Sequence, residues 1–183
     1  MIKNQLLNVN KDWKLYLDSS AEQMQADIRN ILANQILKYG YKKSRQDIAA
    51  LFFQYEYETW DIVFWAEDKN RSSITDTIIL PSKRKENSNG NSNWNHFIPE
   101  TLWNKVAEFE DNYRGDDSDD IICEYIEVQT EIFKKWFLAC WNTATKGIGN
   151  VPDAYFSIHD TYFLTDLKTG KKINNDEISK RYE

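Results

Sequence analysis

The sequence predicts an α+β fold, an antiparallel sheet of about five strands with three main helices packed on one side of it. Three observations carry that expectation. A helical period is sustained over Ile121–Ala144, aromatic and β-branched residues crowd the stretch from Ala49 to Pro81, and strand-like runs return between Ala154 and Asp166. No internal repeat is visible. A chain of 183 residues with 14% aromatic content is long enough to bury a sizeable core without staples, so residues 1–183 are expected to form a single domain.

The central helix is the strongest element. Ile122, Tyr125, Ile126, Gln129, Phe133, Trp136, Phe137, Cys140, Trp141 and Ala144 recur at steps of three and four, and Glu124, Glu127, Glu131 and Lys135 occupy the opposite stripe. Glu131 and Lys135 form an (i, i+4) pair in the favourable order. Asp119 and Asp120 lie at the helix start, where carboxylates are favoured, and Gly147 offers a left-handed stop. From Phe133 to Trp141 the segment is apolar nearly all round, which predicts a helix covered on several sides. At about 1.5 Å per residue it would run roughly 35 Å.

Before it, Met1–Leu17 reads as a short helix or an extended arm. A second helix is expected to begin at the cap Asp18-Ser19-Ser20 and to bury Met24, Ile28, Ile31, Leu32 and Ile36 until Gly40 ends it. Ala49–Glu58, Trp60–Glu67 and Thr75–Pro81 are expected to form an antiparallel meander. In its first strand Phe53, Tyr55 and Tyr57 alternate with Gln54, Glu56 and Glu58, giving one aromatic face and one wet face. Residues 82–95, rich in Asn, Ser and Gly, are expected to be a flexible loop. Pro99-Glu100 opens a helix running to about Tyr113. After the central helix, Ala154–His159, Thr161–Asp166 and the dipeptide Lys172-Ile173 are strand candidates. Asn175–Glu183 is a short polar helix or a frayed end.

Net charge is −6, and its distribution is informative. Between Glu108 and Glu131 stand ten acids against one base, Arg114, so this segment alone carries −9. The rest of the chain is about +3. An acidic chain disfavours direct nucleic-acid binding. The missing signal-peptide pattern and the lack of an apolar run long enough to span a bilayer predict a cytoplasmic protein with no membrane partner. Cys123 and Cys140 lie on one predicted helix, about 25 Å apart at its rise per residue, too far for a disulfide.

Catalytic chemistry finds little support. The histidines are His96 and His159, with no ligand-spaced cysteine or histidine pair, so neither a metal nor a cofactor is expected. The acidic turn Asp116-Asp117-Ser118-Asp119-Asp120 lacks the glycine and closing glutamate of a calcium loop and reads as a solvated turn. Asp61 with Glu67-Asp68-Lys69 suggests the two carboxylates and lysine of a Mg²⁺-dependent nuclease or phosphodiesterase. Asp61 and Glu67 would sit about 20 Å apart along one strand, so Glu58, Glu67 and Lys69 make the better set for that alternative. His159-Asp160 lacks a nucleophile motif, Cys140 is predicted buried and inert, and no glycine-rich phosphate loop occurs. The aromatic strands could stack bases, but Glu56, Glu58, Asp61 and Glu67 surround them instead of bases, which favours a core role.

A small, acidic α+β chain rich in Trp, Tyr and Phe and without cofactor motifs resembles the immunity proteins that accompany bacterial polymorphic and contact-dependent toxins. The resemblance is one of general character across the whole chain. It implies a non-enzymatic inhibitor that covers the active site of a toxin. Together with the charge, it points to a basic toxin met by Glu110, Asp111, Asp116, Asp117, Asp119 and Asp120. A structural subunit of a larger assembly is the third reading, marked by a large exposed apolar patch.

Overall fold

The computed structural model describes residues 2–57, 59–80, 96–112 and 119–183, with the side chains of 2–6, 109–112 and 119 excepted. The predicted loop 82–95 lies outside them.

Among these residues the fold is α+β, with four helices and a six-stranded sheet in the order β3-β2-β1-β4-β5-β6. The helices are α1 (Ile2–Leu32), α2 (Glu100–Asn112), α3 (Asp119–Thr145) and α4 (Asn175–Ser179). The strands are β1 (Ala50–Glu56), β2 (Asp61–Glu67), β3 (Ile78–Leu80), β4 (Asp153–Ile158), β5 (Leu164–Asp166) and β6 (Lys172–Ile173). The meander β1–β2–β3 forms as its alternation predicts, with Phe53 opposite Phe64 and Tyr55 opposite Ile62.

The expectation of a purely antiparallel sheet is overturned at one joint. β4 lies parallel to β1, with Phe53 beside Phe156 and Leu51 beside Ala154. A parallel neighbour needs a long crossover, and the β2–β3–α2–α3 connection supplies it. Parallel pairs belong where both faces are covered. In β1, Leu51, Phe53 and Tyr55 enter the core beneath the large helices, while Ala50 and Phe52 join a second cluster with Tyr155, Leu164, Ile173 and Ile178. The helices therefore do not all pack on one side. Through Ile178, α4 covers the far face at Ala50 and Phe52, while Gln54 and Glu56 further along that face are half-buried.

A second correction concerns α1. One helix runs from Ile2 to Leu32 straight through Asp18-Ser19-Ser20, where a new start was expected. Val9, Trp13, Leu17, Met24, Ile28 and Ile31 form one buried stripe across that point, and burying it outweighs the local capping preference. Ser19 adapts by donating its hydroxyl to the Tyr16 carbonyl at 2.7 Å. The helix also ends earlier than Gly40. Asn34 takes φ 60°, and the N–H groups of Asn34 and Gln35 donate to the carbonyls of Ile31 and Asn30 at 2.9 and 2.8 Å, a Schellman end. Asn34 also accepts a hydrogen bond from the Tyr39 hydroxyl at 2.6 Å. Replacing Asn34 by alanine is expected to cost about 1–2 kcal/mol, since alanine is strained at positive φ and cannot accept from Tyr39; urea denaturation measures it.

The helix α3 spans the predicted segment and stops before Gly147, which takes φ +83°. It is covered on two sides, by the sheet and by α1. Phe137 meets Phe53 and Phe156 with ring centroids 5.1 and 4.6 Å apart. Trp13 meets Phe133 and, two turns on, Ala21 meets Cys140, so α1 and α3 run the same way. Lys135, Ala139 and Asn142 stay exposed. Lys134 rather than Lys135 pairs with Glu131, at 3.2 Å.

Two arginines tie the C-terminal segment to the sheet. Arg71, at φ 63°, donates to Glu67 at 2.5 Å and reaches Asn175 and Ser179 on α4. Arg181 donates to Asp166 at 2.8 Å and to the Tyr155 hydroxyl at 3.1 Å. Burial pushes the Asp166 carboxyl up, but the bonds from Arg181 and from the N–H groups of Lys168 and Thr169 outweigh it and hold it below the ordinary carboxylate value.

Candidate functional site

The candidate surface lies where β1 and β4 end and α3 begins. Asp120, Glu124, Glu127 and Glu131 are all exposed on α3, at spacings of four, three and four residues. At about 100° per residue they form one stripe diametrically opposite the buried Tyr125, Gln129, Phe133 and Trp136. The core residues thus aim the acids at solvent. Lys134 pairs with Glu131 at 3.2 Å, at the C-terminal end of the stripe.

Beside this stripe the connection from β4 to β5 carries two exposed rings, Tyr162 (67% exposed) and Phe163 (50%), packed edge to face with centroids 4.9 Å apart. They precede β5, whose first residue, Leu164, enters the far-face core. Between them and α3 runs an open groove of about 430 Å³ whose walls include Glu127, Glu131, Lys134, Ile158 and Lys172. Its floor is mixed in sign.

On the other flank, a cavity of about 320 Å³ opens between α2, α3 and the β1–β2 turn. Four aromatic residues line it, Tyr57, Trp60, Trp103 and Tyr125, with Ile126 and Gln129. Trp60 sits at φ 57°, an unusual conformation for a bulky side chain, and its indole lies 4.8 Å from that of Trp103. The Gln129 amide donates to the Tyr125 hydroxyl at 2.9 Å.

The acids singled out in the sequence are only partly placed. Asp120 is exposed in the first turn of α3; Glu110, Asp111 and Asp119 lie on helical backbone without described side chains; Asp116 and Asp117 fall outside the described residues. The sequence reading undervalued Glu124, Glu127, Tyr162 and Phe163. Their signal was available in the helical stripe and in two adjacent aromatics beside a turn. The aromatic cavity has walls from three separate stretches of chain, so no one stretch of sequence signals it.

Of the nuclease alternative, Glu67 and Lys69 are described and Glu58 is not. Asp61 and Glu67 stand at opposite ends of β2. Both oxygens of Glu67 are engaged, one by Arg71 and the other by the Trp65 indole N–H at 2.9 Å. Lys69 is exposed on the following turn, and Glu58 is outside the described residues. Asp61 accepts from the Phe97 N–H at 2.9 Å and lies 3.2 Å from His96 Nδ1. No group of three metal-ligating side chains occurs among the described residues. His159 follows β4 in a turn, with Nδ1 3.4 Å from Asp160 and Nε2 3.8 Å from Glu56. Burial pushes the Cys140 thiol up to about 12, with Asp18 adding to it, so that thiol is inert at neutral pH. Phe52, Phe53, Tyr55 and Phe64, the rings that might have stacked bases, are in the core.

No described helix is long and apolar enough to cross a membrane. No family model, curated protein or solved structure matches the chain.

Proposed function

We propose that this chain is a non-enzymatic, cytoplasmic protein-binding domain that captures a basic protein partner, in the manner of an immunity protein neutralising a toxin. The observation that carries this reading is the solvent-facing stripe Asp120, Glu124 and Glu127 set beside the exposed Tyr162–Phe163 pair. Exposed rings supply contact area at low entropy cost, and a one-signed stripe steers an oppositely charged partner toward them. In the sequence the stripe continues into the acids between Glu108 and Asp119. The full engagement of Glu67 by Arg71 and Trp65 weighs against a catalytic carboxylate there.

Charge reversal tests the reading. The double substitution Asp120→Lys/Glu127→Lys changes two exposed positions, so the fold should be unaffected. Capture of a basic partner from lysate of the native host is expected to drop by about tenfold or more at low salt, because surface charges steer association over roughly a Debye length. Undiminished capture by the variant removes this surface from the interface.

A further inference from the structure

We infer that the aromatic cavity between α2, α3 and the β1–β2 turn is an anchor pocket for a guanidinium side chain, an arginine presented by the basic partner; this rests on the docking reading above. Four observations converge on it.

The first is the walls. Tyr57, Trp60, Trp103 and Tyr125 all border one opening of about 320 Å³, and the negative faces of such rings attract an organic cation.

The second is polarity. Gln129 is 3% exposed and borders the cavity; its amide nitrogen donates to Tyr125, and its carbonyl oxygen has no hydrogen-bond donor among the described residues. An amide carbonyl on a residue that borders a cavity can accept from an N–H donor placed there. Guanidinium has five of them, and its planar shape stacks on indole.

Charge is the third. The cavity walls on α2 and α3 include Ala107 and Tyr125, whose chain neighbours Glu108 and Glu124 are exposed carboxylates. Acids next to both walls favour a cation there over an anion. Guanidinium is also more weakly hydrated than ammonium, so its transfer between aromatic walls costs less than that of lysine.

The fourth is backbone geometry. Trp60 reaches its place through a left-handed conformation, secured by a hydrogen bond from its own N–H to the Glu56 carbonyl at 2.6 Å. Such conformations persist where the surroundings fix them and cluster at binding sites. Here it places the indole against Trp103 at the cavity wall.

The test uses the full chain and two small probes of equal shape, N-acetyl-arginine methylamide and its uncharged counterpart N-acetyl-citrulline methylamide. Indole N–H resonances of Trp60 and Trp103 are followed by NMR, assigned with Trp103→Phe. The arginine probe is expected to shift both indoles saturably, with an affinity on the order of millimolar, and the citrulline probe to bind about tenfold more weakly. Ala107→Leu, which narrows the cavity without removing any wall residue's ring, should weaken the arginine probe several-fold. Trp103→Leu provides a second variant should that one fail to fold. Equal binding of both probes, or no movement of either indole, overturns the inference. That failure would leave the acidic stripe as the docking surface; undiminished partner capture by Asp120→Lys/Glu127→Lys would remove the stripe while the probe titration still reported on the cavity.

Discussion

Phe133→Ala is expected to cost about 3–5 kcal/mol, a large share of the 5–15 kcal/mol that holds a typical domain together. Phe133 is fully buried at the junction of both long helices and the sheet. Its ring stacks on Tyr55 at 4.1 Å and meets Trp136 at 5.3 Å, Trp13 at 6.1 Å, Phe97 at 6.3 Å and Phe156 at 6.4 Å. Those partners come from α1, α3, β1, β4 and the segment before α2, so no single element can move in to fill the space. In urea the midpoint should fall with little change in slope, and Phe133→Leu should cost less than about 2 kcal/mol. A loss below 1 kcal/mol for the alanine variant would mean that this ring is not the hub of the core.

The second large effect concerns Arg181. Replacing it by methionine keeps most of the stem but leaves Asp166, only 3% exposed, without its guanidinium. A loss of about 2–3 kcal/mol at neutral pH is expected, with the Lys168 and Thr169 N–H groups retaining part of the stabilisation. The pH dependence identifies the cause. The native Asp166 pKa is depressed below 3.8, so its contribution is fully present above that value and is lost as pH falls through the lower folded pKa. In the variant, burial dominates and the folded pKa rises, so the variant is penalised at neutral pH and relieved as Asp166 protonates. The two stability curves should therefore converge as pH falls through about 4. Parallel curves would assign the loss to the guanidinium's contact with the Tyr155 ring instead.

How far the sequence foretold this arrangement differs by element. The periods of α3, β1 and β2 were legible because each buries a regular face and each ends at a clear stop. The break placed at Asp18-Ser19-Ser20 was misleading, because capping residues are local signals and the stripe from Trp13 through Leu17 to Met24 is a tertiary one. The parallel β1–β4 pair could not be read from alternation, since pairing is decided between segments about a hundred residues apart. The second buried face of β1 depended on Ile178 and Tyr182, which look like a polar tail in sequence. At the surface the excess of acids was plain. Their stripe on α3 followed from helical period alone, whereas the cavity formed by Tyr57, Trp60, Trp103 and Tyr125 required the fold.

We propose α3 and the Tyr162–Phe163 pair as a docking face for a basic protein. The direct measurement is capture by the tagged chain from native-host lysate across a salt series, with bound proteins weighed and identified by mass spectrometry. One stoichiometric basic protein is expected, whose retention falls steadily with salt and is reduced by Asp120→Lys/Glu127→Lys and by Tyr162→Ala/Phe163→Ala. A stoichiometric partner that is acidic, or one held equally by wild type and by both variants at every salt concentration, would contradict it.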